Sequence, residues 1–262
     1  MDEDELRRLA KTTGFDVATL EKDYALTWLL SGTYSRDSKL RELLILKGGT
    51  AIRKVYFPEW RLSEDLDFTI LRRTTPQQVR QYFDLVFKTL KNASNIAYAF
   101  DAFSAGPNSI LADVQYVGPL RFKNRIAHDI SLREKLVEEP KTRRVKPEYA
   151  DVPEFTVLVY SLNEVLVEKI RSVLQRGKAR DYYDVWRLTN KHEFDLRKIR
   201  KLLEEKCRIT KVEFKPDLLY DETRLSEARK FWTIALARLT KDLPDFDRII
   251  SELRNRLAPL QE

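Results

Sequence analysis

Acidic residues on two short segments have the types and spacing to bind a divalent cation. Asp65 and Asp67 flank Leu66 on an alternating run, so on a β-strand both carboxylates would project from one face. Two such charges repel each other unless a cation intervenes, and Mg²⁺ favours a few carboxylates together with substrate phosphates. Asp129, on a second alternating run, could add a third carboxylate. The set suits metal-assisted phosphoryl transfer, and the plainer alternative is a group of solvated acids on a sheet edge.

A pair of glycines precedes these acids, at a point where a strand should give way to a helix. Residues 43–46 are apolar and lead to Gly48 and Gly49, and Thr50 follows with a hydroxyl group. Glycine lets the backbone turn and approach a ligand closely, while free amides at the start of a helix attract phosphate. The pattern predicts phosphate binding at this turn. Turns of this kind without a ligand are common, so the glycines alone do not identify a nucleotide site.

A lysine in the second half of the chain lies where a helix should be apolar. Helical periodicity after Ser161 places Lys169 among aliphatic side chains, where it must extend to water, pair with an acid or bind an anionic ligand. The next predicted helix presents Asp181 and Asp184 on one face. Arg180 precedes Asp184 by four residues, and a surface salt bridge would account for that pair equally well.

These motifs together resemble those of a known family. Gly-Gly-Thr followed by Asp-x-Asp is similar to the signature of polymerase-β-like nucleotidyltransferases, in which a serine usually stands where this chain has Thr50. The longer runs at residues 46–56 and 61–68 look like the AbiEii/AbiGii toxin family, the nucleotidyltransferases of toxin–antitoxin and phage-defence operons. Residues 168–169 with 176–186 are similar to the second recurring motif of that family.

The resemblance implies a toxin that catalyses Mg²⁺-dependent transfer of a nucleoside monophosphate from an NTP to an RNA, with release of pyrophosphate. The expected RNA acceptor is tRNA, and a cognate antitoxin is the expected partner, whether or not it binds directly. Two alternatives stay open at this point. One is nucleotidylation of a protein acceptor, and the other is a non-catalytic module that binds nucleotide or RNA on the same scaffold.

The residue pattern and the resemblance together assign roles to individual residues. The predicted catalytic residues are Asp65, Asp67, Asp129, Lys169 and Asp181, of which the first three are also the predicted metal ligands. The predicted nucleotide-binding residues are Gly48, Gly49, Thr50, Arg180 and Asp184. Asp184 is also the rival of Asp181 for the role of the aspartate that lines the nucleotide site.

Composition and charge narrow the remaining possibilities. The chain has 48 Lys and Arg residues against 41 Asp and Glu, a net charge of +7 that favours polyanionic partners without identifying one. A single cysteine excludes a disulfide framework and a cysteine-built zinc site, and the two histidines lie too far apart in the sequence to indicate a histidine metal site. We find no apolar run long enough to cross a membrane and no basic, apolar signal peptide, so we expect a cytoplasmic protein.

Hydrophobic patterning predicts an α+β chain in two parts. Residues 1–150 should form a mixed sheet with flanking helices, the fold that the resemblance implies for a nucleotidyltransferase domain, and residues 151–262 an α-helical domain that closes over the nucleotide site. Within the first part we expect a short helix over residues 50–56 and a basic, proline-punctuated connector over 140–153. Ser161 and Glu164 should form a capping box at the start of the second part.

Overall fold

The computed structural model describes residues 1–260, and the chain forms two compact units. The sheet unit comprises Met1–Glu134 and Pro140–Tyr160, and the helical unit comprises Lys135–Glu139 and the chain from Ser161 onward. The division predicted from the sequence lies at residue 150. Residues 151–160 belong to the sheet unit and not to the helical unit, because they include a strand that pairs within the sheet.

A mixed sheet forms the centre of the sheet unit. In chain order its strands are β1 (Leu44–Lys47), β2 (Asp65–Ile70), β3 (Ala97–Ala105), β4 (Ser109–Val117), β5 (Lys123–Ser131), β6 (Lys141–Val145) and β7 (Phe155–Val159). Within residues 1–260 the strand order is β3-β4-β5-β2-β1-β7-β6. The β2–β5 and β1–β7 pairs are parallel, and the other neighbours are antiparallel. The predicted α+β class is therefore confirmed.

Two helices cover one face of this sheet and form the core with it. They are α2 (Val17–Thr33), which follows α1 (Glu3–Thr13), and α4 (Pro76–Ser94). Asp16 caps α2 by accepting the amide of Thr19, and Thr75 caps α4 in a reciprocal capping box with Gln78. On β4 and β5 the apolar residues alternate onto this covered face, which leaves the intervening residues on the opposite face of the sheet.

The expected connector over residues 140–153 was wrong in one part, because β6 forms there. Lys141, Arg143 and Arg144 are exposed on this strand, so no apolar alternation marks it. The strand is instead defined by its antiparallel pairing with β7, at the edge of the sheet. Charged residues on an edge strand hinder pairing with a second chain, which explains why a strand can carry this composition.

The expected short helix over residues 50–56 is present, and its hydrogen bonding changes from α-helical to π-helical after Ala51. The chain turns through α3 (Gly48–Ala51) and continues into a π-helical turn, Ile52–Tyr56, a rare form often found at functional sites. Lys54 lies in that turn and pairs with buried Asp23 at 2.7 Å. Burial would raise the pKa of Asp23, but the charges of Lys54 and Arg53 outweigh that effect and lower it.

The helical unit contains the helices predicted from the sequence. They are α5 (Leu162–Arg176), α6 (Ala179–Lys191), α7 (Leu196–Thr210), α8 (Glu222–Leu236) and α9 (Phe246–Leu257). Gly177 ends α5 in the left-handed conformation, which lets α6 begin two residues later. Among the helices described for residues 1–260, none combines the length and the hydropathy that a membrane crossing requires.

The predicted capping box at α5 is only half formed. The Ser161 hydroxyl accepts the amide of Glu164, as expected. The carboxylate of Glu164 is fully buried and accepts the amides of Val137 and Glu138 instead, at 2.9 and 2.8 Å. The ammonium of Lys206, from α7, also donates to it at 2.9 Å. Glu164 thereby binds the segment Lys135–Glu139 to two helices of its own unit.

Replacing Lys206 tests how much this buried ion pair stabilises the helical unit. Lys206 pairs with both Glu164 and Glu168, so Lys206→Met would leave the buried Glu164 carboxylate without its cation. The free energy of unfolding should therefore fall by about 3–5 kcal/mol. Lys215→Met is the matched control, since Lys215 and Glu213 form an exposed pair of the kind that contributes at most about 1 kcal/mol. Urea unfolding combined with hydrogen exchange of the α5 and α7 amides measures both variants. Equal losses in both would contradict the assignment.

Candidate active site

Three predicted metal ligands lie on one face of the sheet. Asp65 and Asp67 project together from β2, and Leu66 and Phe68 between and after them are fully buried on the other side. Asp129 on β5 is the direct parallel partner of Asp67, so its side chain lies on the same face. Local alternation within each strand and the parallel register between them thus place all three carboxylates on the uncovered side of the sheet.

These carboxylates line a cavity of about 490 Å³ on the uncovered face. Its lining residues come from strands β2 to β5: Asp65, Asp67, Ala102, Ser104, Leu111, Ala112, Asp113, Ala127, His128 and Asp129. Asp113 is a fourth acid that the sequence analysis missed. Its alternation with buried residues on β4 was the available signal, but only the β4–β5 register shows that it faces the same way as Asp129.

The donor set fits a hard divalent cation. Carboxylate oxygens suit Mg²⁺, which needs only one or two of them because it keeps waters and substrate phosphates as its other ligands. Among residues 1–260 no three acidic, histidine or cysteine side chains converge closely enough to form a complete metal cage. The arrangement therefore resembles an open site that a phosphate ligand would complete, and Asp65, Asp67 and Asp129 are the residues available to it.

The glycine turn lies directly against one of the acids. Gly48 has a φ of +72°, and a Cβ atom added there would lie 2.1 Å from a carboxylate oxygen of Asp67. Only glycine allows this approach, both because of the positive φ and because a methyl group would occupy the position of the carboxylate. The antiparallel pairing of Lys47 with Asp67 fixes the register that brings the turn and the carboxylate together.

The hydroxyl of Thr50 is engaged within the protein. Thr50 is 1% exposed, and its hydroxyl donates to the backbone carbonyl of Asp65 at 2.6 Å and lies 2.9 Å from the hydroxyl of Ser63. Arg61 and Ser63 both approach the backbone of Gly49, where a Cβ atom would lie 3.1 Å from each. The hydroxyl therefore joins the glycine turn to the beginning of β2, the point from which Asp65 projects.

A lysine adjoins the acids on the same face. Lys47 donates to the hydroxyl of Ser131 at 2.8 Å and pairs with the carboxylate of Glu134. Neighbouring protein atoms desolvate the carboxyl of Asp129 and raise its pKa; the charge of Lys47 opposes this shift and that of Glu134 adds to it. Asp129 thus holds a proton more readily than an ordinary aspartate does. No pattern in the sequence marks Lys47 or Glu134 for a role at this site.

His128 points away from the acids. It packs edge-on against Phe83 in the core, and its Nδ1 atom lies 3.0 Å from the carbonyl of Ile126. Burial lowers the pKa of His128 to about 4, so the ring is neutral near pH 7. Although it adjoins Asp129 in the sequence, it has a structural role in the core.

The second group of predicted residues assembles inside the helical unit. Lys169 of α5 pairs with Asp184 of α6 at 2.7 Å, and the nearest oxygen of Asp181 lies 3.9 Å away. Asp181 instead receives two hydrogen bonds from the guanidinium of Arg176, at 2.9 and 3.2 Å. Both aspartates are buried, so each needs a cationic partner. The lysine on the apolar face is therefore paired with acids, one of the three possibilities that its position allowed.

Arg180 contacts the end of another helix. Its Nε atom donates to the backbone carbonyl of Ala235, at the end of α8, at 3.2 Å. This bond fastens α6 to α8. The nucleotide-binding role predicted for Arg180 stays a prediction.

The predicted site residues thus form two sets, each assembled within one unit. The first set, Gly48, Gly49, Thr50, Asp65, Asp67 and Asp129, surrounds the end of β1 and the uncovered face of β2 and β5. The second set, Lys169, Asp181 and Asp184, connects α5 to α6. The first presents carboxylates beside a glycine turn, and the second holds a lysine between carboxylates.

The fold is shared with a solved toxin. MenT4, a nucleotidyltransferase toxin from Mycobacterium tuberculosis H37Rv, superposes with a TM-score of 0.69 at 17% sequence identity. The match covers 100% of this chain and 90% of that one. No curated protein matches the sequence. At this identity the superposition shows that the two chains share a fold.

The family follows from the sequence match. The family described as the nucleotidyl transferase AbiEii toxin of type IV toxin–antitoxin systems matches residues 28–252, which include both sets of site residues. The chain belongs to the AbiEii family. It is a nucleotidyltransferase toxin of a toxin–antitoxin system, which confirms the resemblance seen in the motifs.

Gly48→Ala tests the approach of the turn to the acid. The new methyl group would displace the carboxylate of Asp67 and strain the backbone by about 1–2 kcal/mol, so nucleotidyl transfer should fall at least roughly tenfold while the fold persists. Gly106→Ala is the matched control, because its nearest neighbour would lie at an ordinary 3.7 Å. Transfer assays with circular dichroism melting compare the two. Full activity in Gly48→Ala would show that the close contact is dispensable.

Proposed function

We propose that this toxin transfers a nucleoside monophosphate from an NTP to a hydroxyl group of an RNA acceptor, with tRNA as the preferred acceptor and Mg²⁺ as the cofactor. The observation that carries the proposal is the convergence of Asp65, Asp67 and Asp129 on one uncovered sheet face beside the Gly48 turn. Family membership supplies the reaction class. These substrates belong to the cytoplasm, where we expect the toxin to act.

The reaction needs positioned charge rather than a covalent intermediate. The acceptor oxygen forms a bond to the α-phosphorus while the bond to pyrophosphate breaks, roughly in line. Asp65 and Asp67 would hold Mg²⁺, which when bound neutralises phosphate charge. Asp129, with its raised pKa, is the best placed of these carboxylates to take the proton of the acceptor hydroxyl, and it can also complete the metal ligands.

The glycine turn contributes by backbone rather than by side chain. Gly48 and Gly49 form the turn that brings Asp67 close to the start of α3, where the backbone amides would bind a ligand's phosphates. Thr50, which donates to the carbonyl of Asp65, would act mainly by fixing the start of β2 against this turn. A direct phosphate contact by Thr50 stays a prediction, and its burial argues for the positioning role.

Lys169 would neutralise the charge that develops on pyrophosphate. Asp184 holds its ammonium group at 2.7 Å, which favours Asp184 over Asp181 as the residue that orients it. Asp181 is instead paired with Arg176 and would act through that arginine. The predicted closing of the helical unit over the nucleotide belongs to the same proposal. The cognate antitoxin implied by the family is its expected partner.

The reaction can be tested with purified toxin, Mg²⁺, each α-labelled NTP in turn, and total tRNA. The expected result is label in RNA with a preference for one NTP. Asp65→Ala should lower transfer roughly 100-fold or more because it removes a carboxylate from the reacting centre. Asp84→Ala, an exposed acid on α4, is the control and should keep wild-type activity. Label in protein alone would instead establish a protein acceptor, and NTP binding without any transfer would establish a non-catalytic binding module.

The two aspartates of α6 can be separated by isosteric replacement. Asp184→Asn weakens the bond that orients Lys169, so we expect turnover at saturating NTP to fall about tenfold or more. Asp181→Asn should cause a smaller loss, because its strong bonds go to Arg176. Steady-state kinetics with labelled NTP distinguish the variants, with thermal melting as the check on folding. The reverse order of effects would return the active-site role to Asp181.

A further inference from the structure

The uncovered face of the sheet extends well beyond the acids. On β3 and β5 the residues that face away from the core are exposed, and several are small: Ala97, Ala99, Ala102 and Ala127. Together with Asp113 and Gln115 of the intervening strand β4, these alanines form a floor that adjoins the cavity lined by Asp129. Within the sheet unit, no described element covers this floor. A ligand that reaches the acids can therefore lie along the sheet.

Beyond the far end of this floor, the turn between β4 and β5 carries an exposed aromatic ring flanked by cations. Phe122, at the turn between β4 and β5, is 75% exposed, the largest fraction among the exposed large apolar residues. Arg121 precedes it and Lys123 follows it, and Arg125 lies two residues further along β5. Strand alternation places Lys123 and Arg125 on the same face as Asp129. Exposed aromatic rings beside cations are typical of surfaces that bind single-stranded nucleic acid.

The turn that presents Phe122 is held in place from the core. Glu21 of α2 is 2% exposed and accepts the amide of Leu120 at 2.6 Å. Gly118 fits only because it lacks a side chain, since a Cβ atom there would lie 2.8 Å from the same carboxylate. Arg121 adopts a positive φ of 63°, which costs energy for a residue other than glycine. A buried carboxylate, a required glycine and a strained residue together fix this turn in one conformation.

The distances suit the end of an RNA chain. At about 3.3 Å per residue along a strand, Arg125 lies about 13 Å from Asp129 and Lys123 about 20 Å. Phosphates would be attracted to the cationic end of the floor and repelled from the acidic end, where only a terminal hydroxyl group is required. The ion pair of Arg125 with Asp101 is exposed and therefore weak enough to exchange for a phosphate.

Resting on the proposed function, we infer that the single-stranded 3′ end of the acceptor RNA lies along the uncovered face of β3–β5. Its terminal hydroxyl reaches Asp129, its phosphates contact Lys123 and Arg125, and one base stacks on Phe122. This path gives the acceptor a binding surface separate from the NTP, because its contacts lie at the opposite end of β5 from the metal ligand.

Charge reversal at this end of the floor tests the path. In Lys123→Glu with Arg125→Glu, the KM for tRNA should rise at least roughly tenfold, with the dissociation constant for NTP unchanged. The slope of log KM against log salt should fall by about 1.4, since each contact to a single-strand phosphate contributes about 0.7. Phe122→Ala should raise the KM roughly tenfold with little change in that slope, because stacking is not ionic.

The matched control is Lys88→Glu with Lys91→Glu. These lysines are exposed on α4, which packs on the opposite face of the sheet, so the same change in net charge should leave the KM for tRNA near that of the wild type. Circular dichroism melting checks that all variants fold. Replacing Lys123 and Arg125 with Gln should raise the KM less than Glu does.

The outcomes separate this path from the reaction itself. Label in RNA by the wild type, with equal KM values in the two charge-reversed variants, would overturn the path and leave the proposed function intact. Label in protein alone from the wild type would refute the RNA acceptor and the path together. If charge reversal weakens only neutralisation by the antitoxin and not the KM for tRNA, the surface binds protein and the path is wrong.

Discussion

The contact between the Gly48 backbone and the carboxylate of Asp67 is the constraint on which the candidate site depends. A carboxylate so close to the main chain allows only glycine at position 48. It also requires the strand register that pairs Lys47 with Asp67, and this register fixes where β2 begins relative to β1. The hydroxyl of Thr50 completes the restriction by binding the carbonyl of Asp65. The acids therefore occupy positions set by backbone geometry, which is the least adjustable part of the fold.

Buried ion pairs hold the elements on which these positions depend. In the sheet unit, Asp23 is buried against Lys54, in the π-helical turn that follows the glycines. In the helical unit, Glu164 and Lys206 fasten the segment Lys135–Glu139 to α5 and α7. Such pairs contribute little net stability relative to apolar residues, but losing one partner is costly. The main effect of these ion pairs is therefore to select one arrangement of the chain around each set of site residues, and their net contribution to the free energy of unfolding is small.

The sequence predicted what depends on local pattern. Alternation placed Asp65 and Asp67 on one face, and helical periodicity singled out Lys169 on an apolar face; the structure confirms both placements. It could not predict what depends on register between distant segments. Asp113 lies on the same face as Asp129 only because β4 and β5 pair as they do, and Lys47 pairs with Glu134, which is 87 residues away in the sequence. The strand β6 was not predicted because it is an exposed edge strand, which needs no apolar alternation that the sequence could show.

The pairing in the helical unit shows why two aspartates stand three residues apart on α6. Two buried carboxylates need two positive charges, and Arg176 satisfies Asp181 through two hydrogen bonds. Lys169 is thereby left with one strong partner, Asp184, although an ammonium group has three donors. Because its side chain is already held by that partner, little further rotamer entropy is lost when another anion approaches. One aspartate orients the lysine, and the arginine binds the other aspartate. If the proposed function holds, this arrangement positions the lysine for a phosphate before one binds.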